Sequence, residues 1–329
     1  MYKAFFHLTR SPFDLTPDPA YFVSTRRHNE ALAALYYGVR WHKGFVVVTG
    51  EVGTGKTLLL RCLLRLLKES KDVAYAYLFN NRLSPCEFLQ YIASDFGLNA
   101  SGRNKSELLF DLSQFLLSRG SKKMTTVLIV DEAHHLSEDL LEEIRLLSDL
   151  ETSDDKLLQI VLVGQPELDG KLDSVSLRQL KQRIALRAQL GPLDWEETKR
   201  YIGRRLEVAG ANSNIKPLFP NETVESVFCH SRGLPRLINT LCENGLIAAY
   251  ARHSDVVTPD IIAAVAKDFR LDVITAGEDD PLHPLSESEI KLAAKVLAGL
   301  LGRVKTSNEL EYAVSRAATA EWSENELHL

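Results

Sequence analysis

The sequence predicts an α/β fold: a parallel, largely buried β-sheet covered by helices on both faces, followed by an all-helical domain. Three observations predict it. Short apolar runs rich in β-branched residues alternate with long helical patterns over the first 190 residues. The first clear run, Phe45–Thr49, passes straight into the glycine-rich stretch G50-E-V-G-T-G-K-T57. After Gly191 and Pro192 the strand signal stops and only helical spacing remains. Continuous apolar strands separated by helices belong to parallel sheets, because the crossover helices bury both faces.

Taken in order, residues 1–22 read as irregular, since Pro12, Pro17 and Pro19 each forbid a regular helix interior. A helix is expected after Ser24 or Thr25, with Ala31, Leu32, Leu35 and Val39 on its apolar face. Buried strands are expected at Phe45–Thr49, Val73–Phe79, Thr126–Val130 and Leu158–Val163, with a fifth at Ala185–Leu190. Helical patterns follow Gly55 and cover Pro85–Phe96, Ser106–Ser118 and Glu138–Leu150. The second half reads as helices at Trp195–Ala209, Asn221–His230, Leu234–Tyr250 and Pro259–Phe269. The acidic, turn-rich segment Thr275–Pro284 reads as a linker, and Ser286–Leu301 as one more helix. The domains expected are therefore 1–190, a nucleotide-binding α/β domain; 191–272, a helical lid domain; and 273–329, a linker with a short helical tail.

Composition removes several classes of function. Hydrophobic content is 45% and charged content 25%, ordinary for a globular chain. A net charge of −5 supplies no overall basic field to draw the chain to nucleic acid or anionic lipid. Cys62, Cys86, Cys229 and Cys242 show no C-x-x-C spacing, so zinc and a disulfide framework are not expected and reduced thiols are. No apolar run reaches the length of a membrane span.

The stretch G50–T57 fits G-x-x-x-x-G-K-[ST], a phosphate-binding loop. Gly50, Gly53 and Gly55 let consecutive backbone N–H groups curl around anionic oxygens, with Glu51, Val52 and Thr54 contributing their backbone. The helix that follows, from Lys56, Thr57 and Leu58, aims its positive end at the same phosphates. Lys56 suits the β and γ oxygens, and the Thr57 hydroxyl suits Mg²⁺. ATP with Mg²⁺ is the cofactor expected.

Two acids end the third strand in V127-L-I-V-D-E132. Asp131 at a strand tip suits Mg²⁺, held directly or through water. Glu132 is placed to polarise a water for attack on the γ-phosphate; both acids would otherwise cap the next helix. His134 and His135 follow and read as residues at a helix start. Gln165 ends the fourth strand in I160-V-L-V-G-Q165; its amide can donate and accept, which suits water positioning, and a turn residue before Pro166 is the alternative. Arg178, Arg183 and Arg187 form a basic group in which Arg183 is favoured, ahead of Arg178, to reach a neighbouring subunit's γ-phosphate. The alternative is a solvated helix face. Arg236 sits in a first helical turn, where the helix dipole disfavours a cation, so a γ-phosphate contact is expected of it.

Together these stretches resemble the AAA+ ATPases, and more narrowly the general secretion pathway A-type ATPases and their relatives beside exopolysaccharide and exosortase loci. The resemblance covers roughly residues 1–270. It rests on F13-D-L-T-P-D-P-A-Y-F22, H28-N-E-A-L32, G50-E-V-G-T-G-K-T57, V130-D-E-A-H134, V163-G-Q-P-E-L168, Q182-R-I184, Y201-I-G-R-R-L206 and G233-L-P-R236. It implies the sheet order 5-1-4-3-2, an N-terminal segment near the adenine with Tyr21 and Phe22 beside the base, and a homo-oligomer. It maps Gln165 to sensor 1, Arg236 to sensor 2 and Arg183 to a finger supplied in trans. Secretion members of that family carry a membrane span and a peptidoglycan-binding region after the ATPase, which the linker and tail replace here.

The function expected is Mg²⁺-dependent ATP hydrolysis driving assembly or export of envelope or secretion components. The partners are further copies of the chain and secretion machinery, in the cytoplasm or peripherally at the inner membrane. The alternative is a DNA-associated helper of the transposition type, for which Lys199-Arg200 and Arg204-Arg205 offer basic clusters.

Overall fold

A computed structural model describes residues 1–70, 72–79, 83–152, 155–211 and 217–271. The expected linker, the Ser286–Leu301 helix and the 273–329 tail lie outside the described residues. By packing, the chain divides into two units. One comprises Met1–Thr25, Gly53–Leu58 and the described part of Gly191–Leu282; the other comprises Arg26–Val52 and the described part of Leu59–Leu190.

The α/β unit holds five parallel strands: β1 (Phe45–Gly50), β2 (Val73–Leu78), β3 (Thr125–Val130), β4 (Gln159–Gly164) and β5 (Ile184–Leu190). Their order is β2-β3-β4-β1-β5, the 5-1-4-3-2 order that the resemblance implies. The central strands β1, β3 and β4 are buried at every position. That explains why they read as continuous apolar runs rather than as alternating ones. One face of the sheet carries a core that includes Phe45, Leu78, Phe88, Ile92, Leu128 and Leu162.

Helices α1 (Tyr2–Phe5), α2 (Arg26–Arg40), α3 (Lys56–Lys68), α4 (Pro85–Asp95), α5 (Lys105–Gly120) and α6 (Glu138–Leu147) come before β4 in the chain. Helix α2 packs on β1 and β5. Helices α4 and α5 each open with a reciprocal capping box, Ser84 with Glu87 and Asn104 with Glu107, which satisfies two otherwise orphaned backbone donors. Two short helices, α7 (Glu167–Leu172) and α8 (Arg178–Gln182), connect β4 to β5.

The helical unit contains α9 (Trp195–Val208), α10 (Asn221–Ser231), α11 (Pro235–Ala251) and α12 (Pro259–Asp268). Its core includes Ile202, Phe219, Val227, Ile238, Leu241 and Ile262. Phe6, Leu8 and Phe13 from the N-terminal segment belong to the same core. That segment is more ordered than its prolines suggest, for it contains α1 and a 3-10 turn at Pro19–Tyr21. The turn is capped by Asp18, whose carboxylate accepts from the Ala20 N–H.

What holds this segment is Arg205 of α9. Its guanidinium donates to the carbonyls of Pro12 (2.5 Å) and Asp14 (2.9 Å) and to the Tyr201 hydroxyl (2.7 Å). It also lies over the rings of Tyr21 and Tyr201, at 4.5 and 5.4 Å from their centroids. Arg205 is only 4% exposed, so the basic pair Arg204-Arg205 is not a surface cluster; this corrects that part of the DNA expectation. Helical spacing alone does not reveal that an N-terminal segment covers this face of α9. Arg204 turns instead to Glu207, while Lys199 and Arg200 are exposed.

Arg205→Met removes three charge-assisted bonds and strands two carbonyls. It is expected to cost about 2–4 kcal/mol of stability. Limited proteolysis should then cut within Pro12–Leu15. Unchanged unfolding and an unchanged cleavage pattern would contradict this role for the arginine.

Candidate functional site

The site is built at the C-terminal edge of the sheet. In register, Thr49 of β1 lies beside Gly164 of β4, and Val130 of β3 lies beside Leu162. The tips of β1, β4 and β3 are therefore adjacent. Gly50, Gln165 and Asp131 leave the sheet from three neighbouring strands. Ligands of open α/β sheets bind at this edge.

The glycine loop leaves β1 at Gly50 and enters α3 at Lys56. Thr54 is fully buried and Lys56 is 6% exposed, while Glu51 and Val52 are exposed. Gly53 has φ +85°, a left-handed conformation that disfavours a side chain. Arg236 also approaches it closely: the Arg236 N–H donates to the Gly53 carbonyl at 3.2 Å. A Cβ on Gly53 would fall 2.6 Å from the Arg236 Cβ. Thus the first turn of α11 is tied to the glycine loop through its backbone, with the Arg236 residue exposed. Thr57 and Leu58 are half-buried in the first turn of α3.

Asp131 is buried and its carboxylate is oriented from both sides. The Tyr77 hydroxyl of β2 donates to one oxygen at 2.9 Å, and the Glu132 N–H donates to the other at 2.9 Å. Burial pushes the Tyr77 phenol well above its ordinary range, and the Asp131 charge adds to the shift, so the hydroxyl keeps its proton. A carboxylate oriented in this way is the kind of ligand that Mg²⁺ takes. Among the described residues there is no group of three His, Cys, Asp or Glu side chains fit to cage a metal. Sequence spacing offered no sign of Tyr77, because its role depends on β2 being the neighbour of β3.

Glu132 adopts φ 51° and ψ 39°, a left-handed conformation costing about 1–2 kcal/mol for a residue with a Cβ. Strain of this kind gathers at functional positions. The 3-10 turn Ala133–His135 follows it, and α6 begins only after the Ser137 cap. This corrects the placement of the two histidines at a helix start. Instead, His134 faces Glu132 (Nδ1 to Oε2, 3.4 Å) and Gln165 (Nε2 to Nε2, 2.9 Å). Lys171 of α7 holds the turn by donating to the carbonyls of His134 (2.7 Å) and Leu136 (2.6 Å). Gly164 permits the approach: a Cβ there would meet the His134 backbone nitrogen at 3.1 Å and Leu168 at 3.0 Å. The glycine of V-G-Q-P-E-L is thus a packing requirement.

The arginines are separated. Arg178 is exposed at the start of α8. Arg183 is half-buried, ion-paired with Asp149 and bonded to the Ser148 hydroxyl at 3.3 Å. Arg187 donates to Asp169 at 3.2 Å. In the helical unit, Tyr21 and Phe22 are both buried. The Tyr21 hydroxyl donates to the Ser11 carbonyl at 2.9 Å, and its ring lies beneath Arg205.

Comparison with known proteins supplies the family. A family model described as "AAA domain" matches residues 39–172. General secretion pathway protein A of Aeromonas hydrophila is 43% identical over 267 residues, or 81% of this chain and 48% of that protein. Residues 39–172 thus match an AAA domain, and over those 267 residues the chain is similar to General secretion pathway protein A. It spans about half the length of that relative. The ATP-dependent target DNA activator B of Escherichia phage Mu is 26% identical over 261 residues, covering 78% of this chain and 76% of that protein. Two solved structures share the AAA+ fold at 16% identity. Cdc6p from Pyrobaculum aerophilum has a TM-score of 0.59, and the Aeropyrum pernix ORC2 protein one of 0.57; each comparison covers 95% of this chain and 98% of the other. No helix among the described residues is long and apolar enough to cross a membrane.

The glycine loop is the candidate nucleotide site. Gly53→Ala adds strain of about 1 kcal/mol or more and a clash with Arg236. It is expected to weaken binding of a fluorescent ATP analogue by about tenfold or more. An unchanged affinity in equilibrium titration would show that the loop tolerates a Cβ there.

Proposed function

We propose that this AAA+ chain hydrolyses ATP with Mg²⁺ and uses the cycle to drive assembly or export of envelope or secretion components. The observation that carries the hydrolytic part is the arrangement at the sheet edge. An oriented acid, Asp131, is followed by a strained and half-exposed one, Glu132, and Gln165 lies one strand away on the same edge. The secretion part rests on the likeness to General secretion pathway protein A.

In this reading the N–H groups of Gly50–Thr57 and the Lys56 ammonium hold the phosphates, as glycine loops do. Thr57 and Asp131 would hold Mg²⁺, which would neutralise charge on the triphosphate. Glu132 accepts a proton from the attacking water, and Gln165 orients that water. Arg236 senses the γ-phosphate, anchored by its backbone bond to Gly53. Tyr21 and Phe22 lie on the adenine side. Arg183 is the finger for a neighbouring copy, which requires it to leave its pair with Asp149. The domain division at residues 190 and 272 is part of the same proposal, with Met1–Thr25 packing in the helical unit.

Lys56→Ala is expected to abolish ATP binding. Glu132→Gln is expected to bind ATP normally and turn it over about 10²–10⁴-fold more slowly, the usual worth of a positioned base. EDTA should stop turnover in the wild type, and Mg²⁺ should restore it. Normal turnover by Glu132→Gln would remove that residue from the mechanism. Arg183→Ala should bind ATP as the wild type does yet fail to hydrolyse it, and wild-type specific activity should rise with protein concentration. A fully active monomer would rule out a finger in trans.

A second reading, a DNA-associated helper ATPase, is favoured by the likeness to the target DNA activator B. It has less surface to draw on now that Arg205 is buried. Strong stimulation of turnover by double-stranded DNA, falling steeply with salt, would support it. No response to DNA leaves the secretion reading.

A further inference from the structure

Arg183, the residue assigned to act on a neighbouring copy, is held within its own subunit by a carboxylate that it shares with a buried arginine. Its guanidinium is ion-paired with one oxygen of Asp149 and donates to the Ser148 hydroxyl at 3.3 Å. Arg145 of α6, 9% exposed, donates to the other Asp149 oxygen at 3.1 Å. The Arg145 Nε–H is shared between both oxygens of Glu142, at 2.9 Å each. Glu142, Arg145, Asp149 and Arg183 therefore form a chain of alternating charge at the C-terminal end of α6. The basic residues just before Arg183 are arranged differently: Arg178 is exposed, and Lys181 pairs with the exposed Asp173 at 2.6 Å.

The two ends of this chain are not equivalent. Arg145 is buried and would be costly to leave unpaired, so it keeps Asp149 in place. The Arg183 side chain is 33% exposed, so water reaches its guanidinium when it leaves Asp149. The Ser148 hydroxyl donates its proton to the Arg145 carbonyl at 2.6 Å, so it meets Arg183 only as a neutral acceptor. The backbone of Arg183 is fixed: its N–H donates to the Leu180 carbonyl at 3.0 Å, and Leu180 is fully buried. Release is therefore a swing of one side chain and not a movement of α8. An ion pair of this exposure is worth at most about fivefold in an equilibrium constant. A phosphate group accepts from the same guanidinium fork and carries more charge. Phosphate is thus able to displace Asp149, and Asp149, still bonded to Arg145, is not stranded when it does.

We propose that Asp149 is an autoinhibitory latch, which keeps the Arg183 guanidinium inside its own subunit until a neighbouring copy presents a triphosphate. The latch rests on the assignment of Arg183 as the finger in trans. It gives the finger two alternative anions, Asp149 in the free chain and the neighbour's γ-phosphate in the assembly. Productive assembly is then weakened in proportion to the fraction of chains in which Arg183 is still paired.

Two measurements test this. The first needs no nucleotide. The full chain is treated with phenylglyoxal, which modifies accessible guanidinium groups, and the rate at Arg183 is followed by peptide mass spectrometry with the exposed Arg178 as reference. Asp149→Asn keeps the volume and an acceptor for Arg145 but removes the charge that holds Arg183. In that variant Arg183 should react about two- to fivefold faster relative to Arg178. An unchanged ratio would overturn the latch. Asp149→Ser takes the place of Asp149→Asn if the latter does not fold.

The second follows turnover against protein concentration. Asp149→Asn should reach half-maximal specific activity at a protein concentration about two- to fivefold below that of the wild type, with ATP affinity unchanged. Combined with Arg183→Ala, it should show no gain over Arg183→Ala alone. An unshifted curve, or a gain that persists without Arg183, would overturn the latch. Arg183→Ala in the same assay separates the two ideas. If it is inactive while Asp149→Asn follows the wild-type curve, only the latch fails; if it turns over ATP as the wild type does, the finger assignment fails and the latch with it.

Discussion

Everything at the site follows from strands that run parallel and end at a common edge. Because β1, β4 and β3 are adjacent and in parallel register, the residues just past their tips emerge side by side. Along the chain, Asp131 lies 81 residues after Gly50, and Gln165 lies 34 residues after Asp131. No local preference would bring them together. The sheet does so because its central strands are buried at every position, with Val, Leu and Ile in the middle of each, and because they pair in parallel.

A second constraint lies in the helical unit. The guanidinium of Arg205 is satisfied by two carbonyls, a hydroxyl and aromatic faces, so a charge that would be costly to bury is compensated by the segment that covers it. Arginine suits this task better than lysine, since its planar fork can serve several acceptors while stacking on rings. The proline-rich N-terminal stretch is therefore a structural part of the helical unit. Tyr21 belongs to that arrangement whatever else it contacts.

Much of this was legible in the sequence, and the exceptions share a cause. The five strands, the glycine loop and the acids of V-D-E are local patterns, and they lie where their spacing predicts to within a residue or so. Gln165 was legible because a polar residue ends an apolar run. Tyr77, His134 and Gly164 were not, because their roles arise from which strand neighbours which: Tyr77 meets Asp131 from β2, and Gly164 makes room for the turn after β3. Arg205 was misread as surface for the same reason, since the segment that buries it lies about 190 residues away in sequence. The short helix α1 escaped notice because the prolines that follow it dominate the local composition.

The account is tested most directly by a crystal structure of the Glu132→Gln variant with ATP and Mg²⁺. It predicts the triphosphate enclosed by the backbone N–H groups of Gly53–Thr57, Lys56 on the β and γ oxygens, and the metal held by Thr57 and Asp131. A nucleotide bound elsewhere, or a metal with no link to Asp131, would contradict it.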